Sequence, residues 1–351
     1  MQRLAVIFTG GTIVSALGAE GRTGPDQRAS QEVHELVEGI FQDQDVVVVS
    51  REPWGVPGLD SSELTPVHWV ELARTVAFEL REGATGVLIL HGTDTMAYTS
   101  AWLSLCFPQL NVPVVLTGSQ LTLDFMPEDV TVNLRGAAQV VCADVPGVWI
   151  YCNWKLIPGD RAHKAHSQYP DAYTAVNGQP LYFNPEWGRR GQGLSIRKPG
   201  SMELSHFSKR AINTDLQKVQ EIVRGVGWVF CAPGVVPSLR GDERILAVVG
   251  YGLGNCHSGV LQELRTVFAN APKPHVVACS QAEGGMKNPG GYADVGLASL
   301  AASGFPVWGQ MNYPLEFIHA LGCYALLASP EAPGFILSRF LREWGAERLH
   351  L

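Results

Sequence analysis

The sequence predicts an α/β protein of two domains: a larger N-terminal domain on a doubly wound, mostly parallel sheet, and a smaller C-terminal α/β domain. Three observations carry this. Short apolar runs of strand length alternate with stretches of helical periodicity, the β-α-β order of a parallel sheet. The runs at 4–8 and 87–90 each break into a polar, glycine-bearing turn, Thr9-Gly-Gly-Thr12 and His91-Gly-Thr-Asp-Thr95. The chain has 351 residues, enough for two domains of roughly 100–200 residues each.

In order, residues 4–8 form the first expected strand, followed by the Thr9–Thr12 turn. Residues 15–28 are polar and glycine-rich, with the composition of a mobile loop that serves as a lid or binding loop. Val33, Leu36, Val37, Ile40 and Phe41 recur at helical spacing. Residues 46–49 are a strand, and Asp60-Ser-Ser-Glu-Leu-Thr65 is a polar turn. Thr65-Pro66 starts a helix, a cap followed by Pro at the first position, with Trp69, Ala73, Val76 and Leu80 on its apolar face. The run 87–90 is too short for a buried helix and suits a buried parallel strand; a helix-like segment follows at 96–105. The strand at 112–116 ends in Thr117-Gly-Ser-Gln120, 133–142 is helical, and 148–151 is another strand.

From 187 to 208 the pattern breaks into turn-rich sequence. We therefore expect an N-terminal domain over 1–190, a connection over 191–222 and a C-terminal domain over 223–351. The second part alternates again: a strand at 245–249 ending in Gly250-Tyr-Gly-Leu-Gly-Asn255, a stripe of Val260, Leu261, Leu264, Val267 and Phe268, a strand at 276–279, and closing helices at 314–327 and 333–344.

Composition narrows the function. Hydrophobic content is 46% and charged content 17%, so a large core is available. A net charge of −7 with no basic run argues against nucleic acid, because phosphate binding needs clustered Lys and Arg. No apolar stretch reaches membrane-spanning length, and the opening residues lack the pattern of a secretory signal. Seven cysteines without a CxxC pair suit free thiols in a reducing compartment. A cytoplasmic protein is the expectation.

Several motifs lead nowhere. Gly250, Gly252 and Gly254 follow a strand, but the third glycine falls one position early for a dinucleotide loop. His163 and His166, three apart, suggest a shared helix face, but a metal site would need a third ligand and a motif that is absent. There is no GxSxG elbow for a serine hydrolase. What remains is Thr12, Ser61, Thr93, Asp94 and Lys164. A threonine alone after a strand is more often a helix cap than a reagent. As a set these residues have chemistry: a threonine hydroxyl needs a base to become a nucleophile, and a lysine with a carboxylate partner can relay the proton.

The chain resembles the bacterial-type L-asparaginase family, more closely its cytoplasmic type I branch. The residues that carry this are Thr9-Gly-Gly-Thr-Ile13, Leu59-Asp-Ser-Ser-Glu-Leu-Thr-Pro66, His91-Gly-Thr-Asp-Thr-Met-Ala-Tyr98, Val115-Leu-Thr-Gly-Ser-Gln120, Arg161-Ala-His-Lys-Ala-His166, Tyr251-Gly-Leu-Gly-Asn255 and Asn288-Pro-Gly-Gly-Tyr292. The resemblance implies hydrolysis of the L-asparagine side-chain amide through an acyl-enzyme, with no metal or organic cofactor, in a homodimer or homotetramer. It implies Thr12 as nucleophile and Thr93, Asp94 and Lys164 as the catalytic group for proton transfer and water. Ser61 and Asp94 would hold the α-carboxylate and α-amino groups, with Asp60, Ser62 and Thr93 beside them. Tyr292 is a candidate for a residue lent by a neighbouring subunit. Two departures stand out. The family's loop Tyr is missing, with Arg22 about in its place, which keeps glutamine, a D-amino acid amide or a peptide-linked amide open as substrates. The Cys and Arg of the type I regulatory site are replaced by Ala282 and Val249. An amino-acid sensor that keeps the pocket is the alternative outside catalysis.

Overall fold

The computed structural model describes residues 2–19, 21–42, 44–143, 145–182, 204–284 and 296–344. They form two compact units, Met1–Asn213 and Thr214–Leu351, each of α/β build.

The first unit begins with β1 (Gln2–Phe8), a hairpin of β2 (Ser15–Gly18) and β3 (Gly21–Pro25), α1 (Gln27–Phe41), β4 (Val46–Arg51), α2 (Pro66–Arg81), β5 (Gly86–Leu90), α3 (Met96–Cys106), β6 (Pro113–Thr117), α4 (Val130–Cys142) and β7 (Gly147–Cys152). Short strands follow: β8 (Lys155–Pro158), β9 (Ala162–Lys164), β10 (Tyr173–Ala175) and β11 (Leu181–Tyr182), then α5 (His206–Ile212). Seven strands form one sheet in the order β11-β8-β7-β6-β5-β1-β4. The five from β7 to β4 pair in parallel, and β8 and β11 add an antiparallel edge.

Burial explains the parallel centre. β5 and β6 are buried along their whole length, which suits strands covered on both faces. Leu4, Val6, Phe8, Leu88, Leu90 and Val115 pack with Val33, Val37 and Phe41 of α1 and with Leu134 and Val140 of α4. The alternate residues Ala5, Ile7, Val87 and Ile89 are also buried and face the opposite side by the period of the strand. There α2 and α3 pack together, and Trp102 Nε1 donates to Trp69 O at 2.9 Å.

The second unit contains α6 (Leu216–Val223), β12 (Val226–Phe230), β13 (Ile245–Gly250), α7 (Ser258–Val267), β14 (His275–Ser280), β15 (Val307–Gly309), α8 (Leu315–Ala328) and α9 (Pro333–Ser338). Its sheet runs β12-β13-β14-β15, all parallel.

The structure departs from expectation in four places. The glycine-rich stretch after Thr12 is a β-hairpin, in which Thr23 Oγ1 donates to Ala16 O at 3.1 Å and accepts from Ala16 N at 3.3 Å. His163 lies in strand β9, so His163 and His166 share no helix face. The expected closing helix 333–344 is six residues of α-helix, then a wider π-type turn over Arg339–Trp344. The expected connection 191–222 falls partly outside the described residues, and its described part carries α5 and most of α6.

Candidate active site

Strand register sets three turns side by side. Phe8 of β1 pairs with Leu90 of β5, and Leu90 with Thr117 of β6, so all three chains leave the sheet at one level. β1 and β5 are neighbours whose chains continue to opposite sides, to β4 and to β6. Such a reversal opens a crevice at the carboxyl ends of the strands.

Glycines let the turns touch. A Cβ on Gly11 would fall 2.1 Å from Gly92 Cα, one on Gly92 2.5 Å from Ser61 Oγ, and one on Gly118 2.2 Å from His91 O. Only glycine permits backbone approach this close, and Gly11 also has φ of +90°. Thr9 bonds the turns together: its N–H and Oγ1 both donate to Leu90 O, at 3.0 and 2.8 Å, while its O accepts from Leu59 N at 2.9 Å. The loops carrying Thr12, Ser61 and Thr93 are therefore drawn together. Thr12, part-exposed, opens a 3-10 turn whose next two residues, Ile13 and Val14, are buried.

Thr93 is the centre of the bonded group. Lys164 Nζ donates to Thr93 Oγ1 at 2.8 Å and to Asp94 Oδ1 at 2.6 Å. The Lys164 side chain is 16% exposed and that of Asp94 65%, so the amine is nearly enclosed while its carboxylate partner opens to solvent. Lys164 ends the short strand β9, which pairs with β10 at Lys164–Tyr173. The Tyr173 hydroxyl in turn donates to Thr93 O, which fixes Thr93 from both its side chain and its backbone.

Asp60 caps the turn that follows it: Oδ1 accepts from Ser62 N and Ser62 Oγ, both at 2.8 Å. Asp60 and Ser62 are thus paired with each other on the surface, while Ser61 is buried. Thr95 Oγ1 donates to Ser61 O at 2.7 Å and joins that turn to the Thr93 loop. The structure brings Thr93, Asp94 and Lys164 into direct contact, ties Ser61 to them, and sets the Thr12 turn against Gly92. Tyr292 and the Asn288–Tyr292 motif lie outside the described residues, as does the Arg22 side chain.

Sequence reasoning missed the residues that hold this group. Gln120 Oε1 accepts from Thr93 Oγ1 at 2.9 Å, and Gln120 Nε2 donates to His166 O at 3.1 Å. Asp129 accepts from Gln120 N and Leu121 N, both at 2.9 Å. Burial raises its carboxyl above the ordinary carboxylate value, and those N–H donors oppose the rise. His91 is fully buried, with Nδ1 2.7 Å from Gly92 O and Nε2 2.9 Å from Thr99 Oγ1. The carbonyl can only accept, so Nδ1 carries the proton and Nε2 receives the Thr99 hydroxyl. Burial lowers His91 to about 4, so the ring is neutral. Gln120 had a signal, since it stands in a polar turn after a strand like the others. Tyr173 had none, being 80 residues from its partner.

Two hydroxyls on touching turns, one of them bonded to an amine with its own carboxylate, equip a hydrolase that works through an alcohol nucleophile. Among the described residues no cluster of three or more His, Cys, Asp or Glu could hold a metal.

Comparison with known proteins agrees. Residues 3–187 match the family model described as asparaginase, N-terminal. The L-asparaginase 1 of Escherichia coli (strain K12) is 32% identical over 246 residues, covering 68% of each chain. A glutamyl-tRNA(Gln) amidotransferase component of Pyrococcus horikoshii is 30% identical over 277 residues, 75% of this chain and 59% of that protein. The thermostable L-asparaginase from Thermococcus kodakarensis superposes with a TM-score of 0.74 at 26% identity, over 96% of this chain and 97% of that one. The chain belongs to the asparaginase family.

Proposed function

We propose that the protein hydrolyses the side-chain amide of L-asparagine to L-aspartate and ammonia through an acyl-enzyme on Thr12. The observation that carries this reading is the Lys164–Thr93 and Lys164–Asp94 bonding beside the Thr12 turn. In the first half-reaction Thr12 Oγ bonds to the amide carbon, the C–N bond breaks, and the threonine proton leaves with the nitrogen as ammonia. In the second, water bonds to the ester carbon as its proton passes to Thr93 and the Thr93 proton to Lys164; the C–Oγ bond to Thr12 then breaks, Thr12 Oγ takes that proton back, and aspartate departs. Thr93, Lys164 and Asp94 supply this proton transfer, which contributes on the order of 10²–10⁴ in rate. Ser61 and Asp94, flanked by Asp60, Ser62 and Thr93, hold the substrate's α-carboxylate and α-amino groups. Backbone N–H groups of the glycine turns receive the oxyanion; one such donor is worth about 10²–10³. The reading calls on no metal or organic cofactor.

A second reading keeps the chemistry and changes the amide: glutamine, a D-amino acid amide or a peptide-linked amide. It is favoured by the lack of any tyrosine between Thr12 and Tyr98 and by similarity to a protein named as part of a glutamyl-tRNA(Gln) amidotransferase. Ammonia release from a panel of these amides decides between them. L-Asparagine giving the highest kcat/KM supports the first reading, its ranking last rejects it, and tight aspartate binding without turnover of any amide would make the protein a sensor.

We further propose cytoplasmic residence and a homodimer or homotetramer. Seven cysteines, all free, suit a reducing compartment. Among the described residues no helix is long and apolar enough to cross a membrane.

A further inference from the structure

Gln120 has no part in the chemistry above, yet it is bonded to the hydroxyl at its centre. Thr93 Oγ1 has one proton. Lys164 Nζ, as an ammonium, has only donors and points one at Thr93 Oγ1 from 2.8 Å. The Thr93 proton therefore goes to Gln120 Oε1, 2.9 Å away. The orientation of the amide is not free. Its Nε2 faces His166 O at 3.1 Å, which can only accept, and a flipped amide would set two acceptors against each other and an NH₂ against the threonine proton. The Asp129 carboxylate holds the Gln120 backbone N–H at 2.9 Å, and the Nε2 bond to His166 O holds the side chain in place.

We propose that Gln120 is a positioning residue that holds the Thr93 hydroxyl proton while Lys164 is an ammonium and yields it to the Lys164 amine when proton transfer begins; this rests on the role assigned above to Thr93 and Lys164. While Lys164 is charged, Thr93 cannot pass its proton on, and the relay is idle. Once Lys164 is neutral, the hydroxyl turns from Gln120 to Nζ. The attacking O–H then breaks as a new O–H forms on Thr93, while the original Thr93 O–H breaks as N–H forms on Lys164. The Thr93–Gln120 bond exists only in the idle state, so it favours the ammonium. Gln120 thereby raises the pH at which the relay becomes ready.

Other ionisable groups surround this unit. Asp94 bonds the amine directly. Asp129 lies behind the Gln120 backbone. His91 is buried and neutral. Tyr173 bonds Thr93 O, and Lys155, paired with Asp171, bonds Tyr173 O. His163 and His166 flank Lys164 in sequence. None of these charges changes when an uncharged side chain replaces Gln120, so the shift in such a variant isolates the one bond.

The test is an NMR titration of ¹³C-labelled lysine side chains, with Lys164 assigned as the resonance lost in Lys164→Arg. In Gln120→Met the Lys164 midpoint falls by about 0.5–1 pH unit, the equivalent of one ordinary hydrogen bond, and the acid limb of kcat moves down with it. In Gln120→Leu, an uncharged replacement that also lacks the acceptor, both fall as well. A merely structural role would lower Tm and activity and leave the midpoint still. A midpoint unmoved or raised in a folded Gln120→Met protein overturns the proposal; if that variant does not fold, an unmoved or raised midpoint in Gln120→Leu overturns it. The titration reads protonation and not turnover, so failure of the amide panel would remove the substrate assignment and leave this result standing.

Discussion

Thr93 shows how many partners can hold a single side chain and its backbone: an amine and an amide on its hydroxyl, and a phenol on its carbonyl. Next to it, His91 makes the loop sensitive to acid. Its folded value is about 4 against an ordinary 6.5. Below pH 6.5 the unfolded chain takes up a proton that the folded chain refuses. The stability present above 6.5 is therefore lost as pH falls toward 4, by up to about 3 kcal/mol. His319, in the second unit, is lowered in the same way, to about 4, by burial. The urea midpoint should fall steadily between pH 7 and pH 5. In His91→Gln, less stable at pH 7, that loss should shrink by about 2 kcal/mol. An unchanged slope would show that His91 is not the group being titrated. The residues chosen from sequence, Thr12, Ser61, Thr93 and Asp94, were legible because each stands in a polar turn. Gln120 stood in an equally visible turn but drew no role, because an amide is neither nucleophile nor base and its value here depends on its partners.

At the scale of elements, the site depends on turns with no room for side chains. Gly11→Ala would add a methyl 2.1 Å from Gly92 Cα at a residue with φ of +90°. We expect a loss of a few kcal/mol in stability, from steric strain at positive φ and the clash. A displaced Thr12 turn should lower kcat about 10²-fold or more. Urea denaturation and ammonia release measure the two, and an Ala variant equal to wild type in both would mean that the turns do not touch in solution. The buried parallel strands were legible as apolar runs, and α2 from its Thr65-Pro66 start, with Thr65 N donating to His68 Nδ1 at 3.0 Å. The β2–β3 hairpin was not. Its strands carry Gly18, Gly21 and Gly24 and no alternation of apolar and polar residues, and Thr23 holds it together through its hydroxyl. The strands β8 to β11, two to four residues each, are too short for any periodicity to register.

Over the whole molecule, topology does what no local pattern can. Lys164 reaches Thr93 across 71 residues of sequence and Asp94 across 70, by way of the antiparallel edge after β7. Residue chemistry could nominate Thr93, Lys164 and Asp94 as a relay, but nothing in composition or periodicity could bring them together in space. The doubly wound sheet then accounts for why the polar turns lie together, since β1 and β5 are adjacent and their chains part to opposite sides. In the proposed reaction Thr12 attacks an amide carbon while Thr93, Lys164 and Asp94 move the protons. The most direct test is ammonia release from L-asparagine by wild type, Thr12→Ala and Lys164→Met, each with its fold checked by circular dichroism and Tm. We expect a folded Thr12→Ala protein reduced about 10³-fold or more and a folded Lys164→Met protein reduced about 10²–10⁴-fold. Retention of most of the wild-type rate by either folded variant would contradict it.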